Sequence, residues 1–196
     1  MIKTFGEESI KGINFTERGK LMKLTVSSIF TNEIDKGYHY ELIKNIKEAL
    51  EINKIEVEII EKLKFINQNT KKGGTKNPFR ESHIILKFNK TFYCVVNSLN
   101  FKTCLDPNYK EEIKFQIGEL VAVLHNENIC VDEYMSDQLI IFMALSKEEC
   151  KIRILEESLH FQSVIYVVEQ FMKNKEIIRN KYPNFIEVIF KEKVFT

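Results

Sequence analysis

Tyr134, Asp137 and Gln138 stand at i, i+3 and i+4, a spacing that sets an aromatic ring, a carboxylate and an amide side by side on a helix. Such a trio can grip a nucleotide. The ring gives a base or ribose a stacking surface, and the polar groups give directed hydrogen bonds to ribose hydroxyls or base edges. On spacing alone the commoner meaning is blander: a partly buried tyrosine anchor beside a solvated polar face. The second candidate is His160, which follows Ser158 and precedes a stripe of Val164, Val167 or Val168, and Phe171, so it falls in the first turn of a Ser-capped helix. A helix N-terminus disfavours the imidazolium and presents backbone N–H groups to phosphate. A neutral nucleophilic ring and an anion site would then coincide, as attack on the α-phosphate of a nucleoside triphosphate requires. A histidine at a helix start is more often a capping or packing residue.

The elements that must carry these residues follow from pattern. Asp132 is a plausible N-cap and Glu133 suits the first-turn dipole, so a helix is predicted over 132–146, almost wholly apolar from Leu139 to Leu145. A helix so apolar is deeply buried, and polar groups near its start then need partners. A strand at KIRIL, a helix over 159–174 and a strand around FIEVIF complete this part. Upstream, KLMKLTVSSIF at 20–30 reads as a strand with a bulge or slip, and Asp35-Lys36-Gly37 as a turn. Tyr40, Ile43, Ile46 or Lys47, and Leu50 mark a helix over 38–52, and IEVEII a strand at 55–60. Residues 66–80 carry loop chemistry, 83–97 a hairpin across Asn89-Lys90, and 109–125 a helix. The predicted class is α/β of the α+β kind: a strand-helix-strand-hairpin-helix domain, then a helix-strand-helix-strand unit.

The segments VDEYMSDQLIIFMAL (131–145) and LHFQSVIYVVEQF (159–171) resemble the C-terminal signature of the RNA 3'-terminal phosphate cyclase family, and TERGKL (16–21) is similar to that family's entry into its smaller inserted domain. The resemblance implies an insert-like domain at 1–125, with a short lead-in, and at 126–196 the end of a larger repeated α/β catalytic domain whose earlier part is not in this sequence. It implies that His160 is the nucleophile that takes AMP from ATP, that Tyr134, Asp137 and Gln138 contact ATP or AMP, and that an RNA 3'-phosphate becomes a 2',3'-cyclic phosphate. A divalent metal (Mg or Mn) is implied, with ligands outside this chain. The partners implied are ATP, RNA with a 3'-phosphate end and, for the missing half, a separate chain. Nuclear placement is implied by the eukaryotic look of VDEY, with the cytosol otherwise. The alternatives are a non-cyclising relative in pre-ribosomal RNA processing and an inactive, truncated binding module.

Composition bounds these readings. A chain of 196 residues, 44% of them hydrophobic, can bury a real core, and disorder is not expected for most of it. Net charge is +1, so any RNA contact should be local rather than a general coating. No apolar run reaches the ~18 residues of a membrane span and no secretory signal is visible, so a soluble intracellular protein is expected. Cys94, Cys104, Cys130 and Cys150 lack zinc-site spacing and read as reduced, mostly buried thiols. His39 sits between two tyrosines on a helix, His83 starts a strand, and His125 suits a helix C-terminus. The KKGG stretch at 71–74 lacks P-loop spacing and reads as a flexible basic loop.

Overall fold

The computed structural model describes residues 10–31, 36–66, 80–99 and 109–193. The loop predicted over 66–80, KKGG included, falls outside them apart from its two end residues, as does Cys104. Two compact units are formed: Gly19–Asn126, and Met1–Arg18 together with Glu127–Thr196. The first unit thus lies, in sequence, between the two stretches of the second.

In the unit Gly19–Asn126, strand β2 (Leu21–Phe30) is followed by helix α1 (Lys36–Ile52), strands β3 (Glu58–Phe65), β4 (Arg80–Phe88) and β5 (Phe92–Leu99), and helix α2 (Lys110–His125). The sheet order is β3-β2-β4-β5, with β2 parallel to β3 and the other pairs antiparallel. Alternation sets one face: Leu24, Val26 and Phe30 of β2 and Ile84, Leu86 and Phe88 of β4 are buried, with Leu42 and Ile46 of α1 and Leu120 and Val123 of α2. The expected bulge in β2 is a register shift between Leu21 and Lys23. The strand expected at 55–60 lies at Glu58–Phe65 instead. Lys54, at φ 54°, ends the turn after α1, so residues 55–57 are spent on reaching the sheet.

Polar side chains also pin the helices to this sheet. Tyr38 donates its hydroxyl hydrogen to Gln116 Oε1 at 2.6 Å, and Ser82 Oγ lies 2.9 Å from the Tyr38 hydroxyl. Arg80 is wholly buried, pairs with Glu112 at 2.7 Å and stacks over the Tyr38 ring at 4.5 Å. Gly19 enters the unit at φ +73°, where a Cβ would be strained and would have to displace the Asn89 side chain, so glycine is favoured.

The other unit begins with the short strand β1 (Asn14–Phe15) and resumes with helix α3 (Glu133–Leu145), strand β6 (Cys150–Ile154), helix α4 (Leu159–Phe171) and strands β7 (Lys175–Lys181) and β8 (Ile186–Glu192). Its sheet order is β1-β6-β8-β7, with β1 parallel to β6 and β8 antiparallel to both neighbours. Hence β6 and β7 run the same way. Its core gathers Ile140 and Met143 of α3, Phe161 and Ile165 of α4, and Ile152, Val188 and Phe190 of the sheet.

Strand β7 was not expected: the predicted helix over 159–174 stops at Phe171, and its continuation turns into a strand. The sequence KEIIRNK hides it, because its first inward residue is a lysine. Lys175 is buried and satisfied: its ammonium donates to the Ser146 carbonyl and to Glu192 Oε1. The molecule as a whole is mixed α/β, with two mixed sheets and, among the described residues, four helices. No helix among the described residues is long and apolar enough to cross a membrane.

Candidate functional site

Both site-bearing helices start where their sequences said they would. Asp132 Oδ1 accepts from the Met135 N–H at 2.8 Å, and Ser158 Oγ accepts from the Phe161 N–H at 3.1 Å. Each cap satisfies one of the donors a helix N-terminus leaves orphaned. The two starts share one end of the sheet. Val131, just before the Asp132 cap, forms a parallel bridge with Ile154, the last residue of β6. The Val131 N–H donates to Arg153 O at 3.1 Å. The mouths of α3 and α4 therefore open beside the C-terminal end of β6, and strand C-terminal ends are a common place for ligands in α/β sheets.

On α3 the exposed stripe is Tyr134, Gln138, Ile141 and Leu145, at helical i, i+4, i+7 and i+11. Tyr134 is 53% exposed, so it is not the partly buried anchor that spacing alone favoured. Asp137 lies on the flank of that stripe, half-buried, and its Oδ1 is buried without a hydrogen bond. All three fall within about 8 Å of the helix start at 1.5 Å rise per residue. His160 is the second residue of α4 and is exposed. Helices α3 and α4 pack against each other over Ile140, Met143, Phe161 and Ile165.

Sequence reasoning passed over three charged residues at this end of the unit. Glu157, immediately before the Ser158 cap, is largely buried and lies 3.8 Å from Arg179 Nη1 and 3.8 Å from Lys181 Nζ. Both cations come from the C-terminal end of β7, the strand that was missed, so their place could not be read. The available signal was an acidic residue directly at a helix mouth. Two cations near a helix N-terminus suit an anion. The clefts beside α1, lined by Tyr40, Lys44 and Lys47, and around Met172 and Lys175 hold none of the four predicted residues.

His39 and His125 have structural settings. His39 is buried with Nδ1 2.8 Å from Ser28 Oγ, and burial lowers its pKa despite Glu61 nearby. His125 ends α2 with Nε2 2.6 Å from Asn53 Oδ1. Among the described residues no group of three or more His, Cys, Asp or Glu could hold a metal ion. Burial of Cys130 pushes its thiol up to about 11, as expected for an inert core thiol.

The family model of RNA 3'-terminal phosphate cyclase matches residues 21–178. The chain belongs to that family. The match runs from β2 to β7 and includes Tyr134, Asp137, Gln138 and His160. Among curated relatives, the RNA 3'-terminal phosphate cyclase of Pyrobaculum neutrophilum is 29% identical over 76 residues, 39% of this chain and 22% of that protein. That of Pyrobaculum aerophilum is 35% identical over 57 residues, 29% of this chain and 16% of the relative. The "Probable RNA 3'-terminal phosphate cyclase" of Dictyostelium discoideum is 53% identical over 38 residues, 19% of this chain and 9% of its own length. The matched stretches thus span about a fifth or less of each cyclase relative.

Proposed function

We propose that the chain carries part of the site of an ATP-dependent RNA 3'-phosphate cyclase, with His160 as the AMP-accepting nucleophile and Tyr134, Asp137 and Gln138 as contacts to AMP. The observation that carries the reading is the shared sheet end at Val131 and Ile154, in a chain whose family membership rests on residues 21–178. The orphaned, buried Asp137 Oδ1 fits a ribose hydroxyl, which would supply the missing donor. Exposed Tyr134 offers a ring for stacking.

The chemistry would run in three substitutions at phosphorus. A ring nitrogen of His160 attacks the α-phosphorus of ATP, forming a P–N bond as the bond to pyrophosphate breaks. An oxygen of the RNA 3'-phosphate then attacks the same phosphorus and frees His160. The vicinal 2'-hydroxyl attacks the RNA phosphorus, AMP leaves, and the 2',3'-cyclic phosphate closes. A phosphoramidate divides one hard transfer into two easier ones. Exposure of His160 in the first turn of its helix suits attack on an incoming phosphate, and the backbone N–H groups of that turn suit the phosphate oxygens. A divalent ion would offset phosphate charge. Among the described residues no group of three or more His, Cys, Asp or Glu is placed to hold one.

By this reading Gly19–Asn126 is the insert-like domain and the other unit the end of a catalytic domain, completed by a separate chain or by further sequence. Action on RNA 3'-phosphate ends in the nucleus belongs to the same proposal. The test is transfer of label from ATP carrying a radioactive α-phosphate: acid-labile AMP on His160 supports it, and a His160→Ala variant that labels equally well would sink it.

A further inference from the structure

The sheet of Gly19–Asn126 has a second face that neither α1 nor α2 covers. Since Ser82, Ile84 and Leu86 point toward the helices, Glu81, His83, Ile85 and Lys87 share the opposite face of β4. On β5, Cys94 sits opposite Ile85 and Val96 opposite His83, so Cys94 and His83 are diagonal neighbours on that same face. The side chains form a relay: His83 Nε2 lies 2.5 Å from Glu81 Oε1, and His83 Nδ1 faces Cys94 Sγ at 3.9 Å. With the Nε2 hydrogen donated to the carboxylate, Nδ1 is left as the acceptor turned toward the thiol. Cys94 is half-buried, whereas Cys130 and Cys150 are buried in the other unit.

Thiol, imidazole and carboxylate in series are the groups a nucleophilic cysteine needs: a base in reach and a third group that orients the base. We propose that Cys94 is a peroxide-reactive thiol, with His83 as its base and Glu81 as the positioning residue. The sulfur attacks one oxygen of hydrogen peroxide, an S–O bond forms and the O–O bond breaks. The thiol proton passes to Nδ1 and then to the departing hydroxide, which leaves as water. Sulfur is oxidised to a sulfenic acid and peroxide is reduced. The charged groups sharing the face are Lys23, Glu58, Lys62, Lys64 and Lys87, whose positions follow from the strand register. The site uses none of the nucleotidyl-transfer residues and is independent of that reading.

The test treats the full chain with hydrogen peroxide, traps sulfenic acid with dimedone and maps the adduct by mass spectrometry. Folded protein should trap at Cys94 roughly tenfold faster than the same cysteine in urea-unfolded chain. His83→Gln should remove most of that advantage and Glu81→Gln part of it, with circular dichroism showing each variant folded. Equal rates at Cys94 in folded and unfolded chain would overturn the assignment. So would a folded His83→Gln variant that reacts as fast as the parent.

Discussion

Val131 and Ile154 face each other across a parallel bridge, and that single pairing brings the starts of α3 and α4 to one end of a sheet. Neither residue does chemistry. Their role is to let Asp132 and Ser158 cap two helices whose first two turns carry the candidate nucleotide contacts and nucleophile.

Removing either cap should therefore cost stability and function together. Asp132→Ala and Ser158→Ala should each destabilise the chain by about 1 kcal/mol in urea unfolding. Ser158→Ala should also slow AMP transfer to His160, because the first turn of α4 would fray. Unchanged midpoints in both variants would show that the caps hold nothing.

Asp137 is a proposed AMP contact whose loss should not harm the fold. Its Oδ1 is buried without a partner, so Asp137→Asn should leave stability within about 0.5 kcal/mol of the parent or raise it. Affinity for a fluorescent ATP analogue should nevertheless fall about tenfold, or about 1.4 kcal/mol. A loss of stability with intact nucleotide binding would reverse the assignment.

His39 supplies a pH signature for the unit Gly19–Asn126. Burial depresses its pKa in the folded chain, so the unfolded chain binds the extra proton first as pH falls. Its contribution is fully present above the unfolded value near 6.5 and shrinks below it. Urea midpoints should drop between pH 7.5 and 5.5, and His39→Gln should flatten that drop; parallel curves would contradict it.

The unit holding α3 and α4 should open before the other. Ile141, Phe142 and Leu145 are each about half exposed (52%, 51% and 54%) and Phe171 is 80% exposed, so these helices bury only part of their apolar surface. Amide exchange in the full chain should show lower protection over 127–193 than over the strands and helices β2 to α2. Equal protection across both would count against this.

Local signals were the legible ones. Asp132 and Ser158 announce their helices, Asn89-Lys90 announces the β4–β5 hairpin, and the spacing of Tyr134 and Gln138 puts both on one exposed stripe. What stayed hidden depends on partners distant in sequence. Lys175 gives no sign of being buried until Ser146 and Glu192 meet it, which is why β7, with Arg179 and Lys181, was not foreseen. His83 read only as the start of a strand, because its neighbour Cys94 is set by cross-strand register. The acidic alternation in IEVEII placed β3 early, since it could not show the residues spent after Lys54.

The central claim is that His160 carries AMP, and the most direct measurement is adenylylation by ATP bearing a labelled α-phosphate, on the protein as its own cells make it. One acid-labile AMP is expected, mapped by mass spectrometry to His160 and abolished in His160→Ala. Label elsewhere in the chain, or label undiminished in that variant, would contradict it.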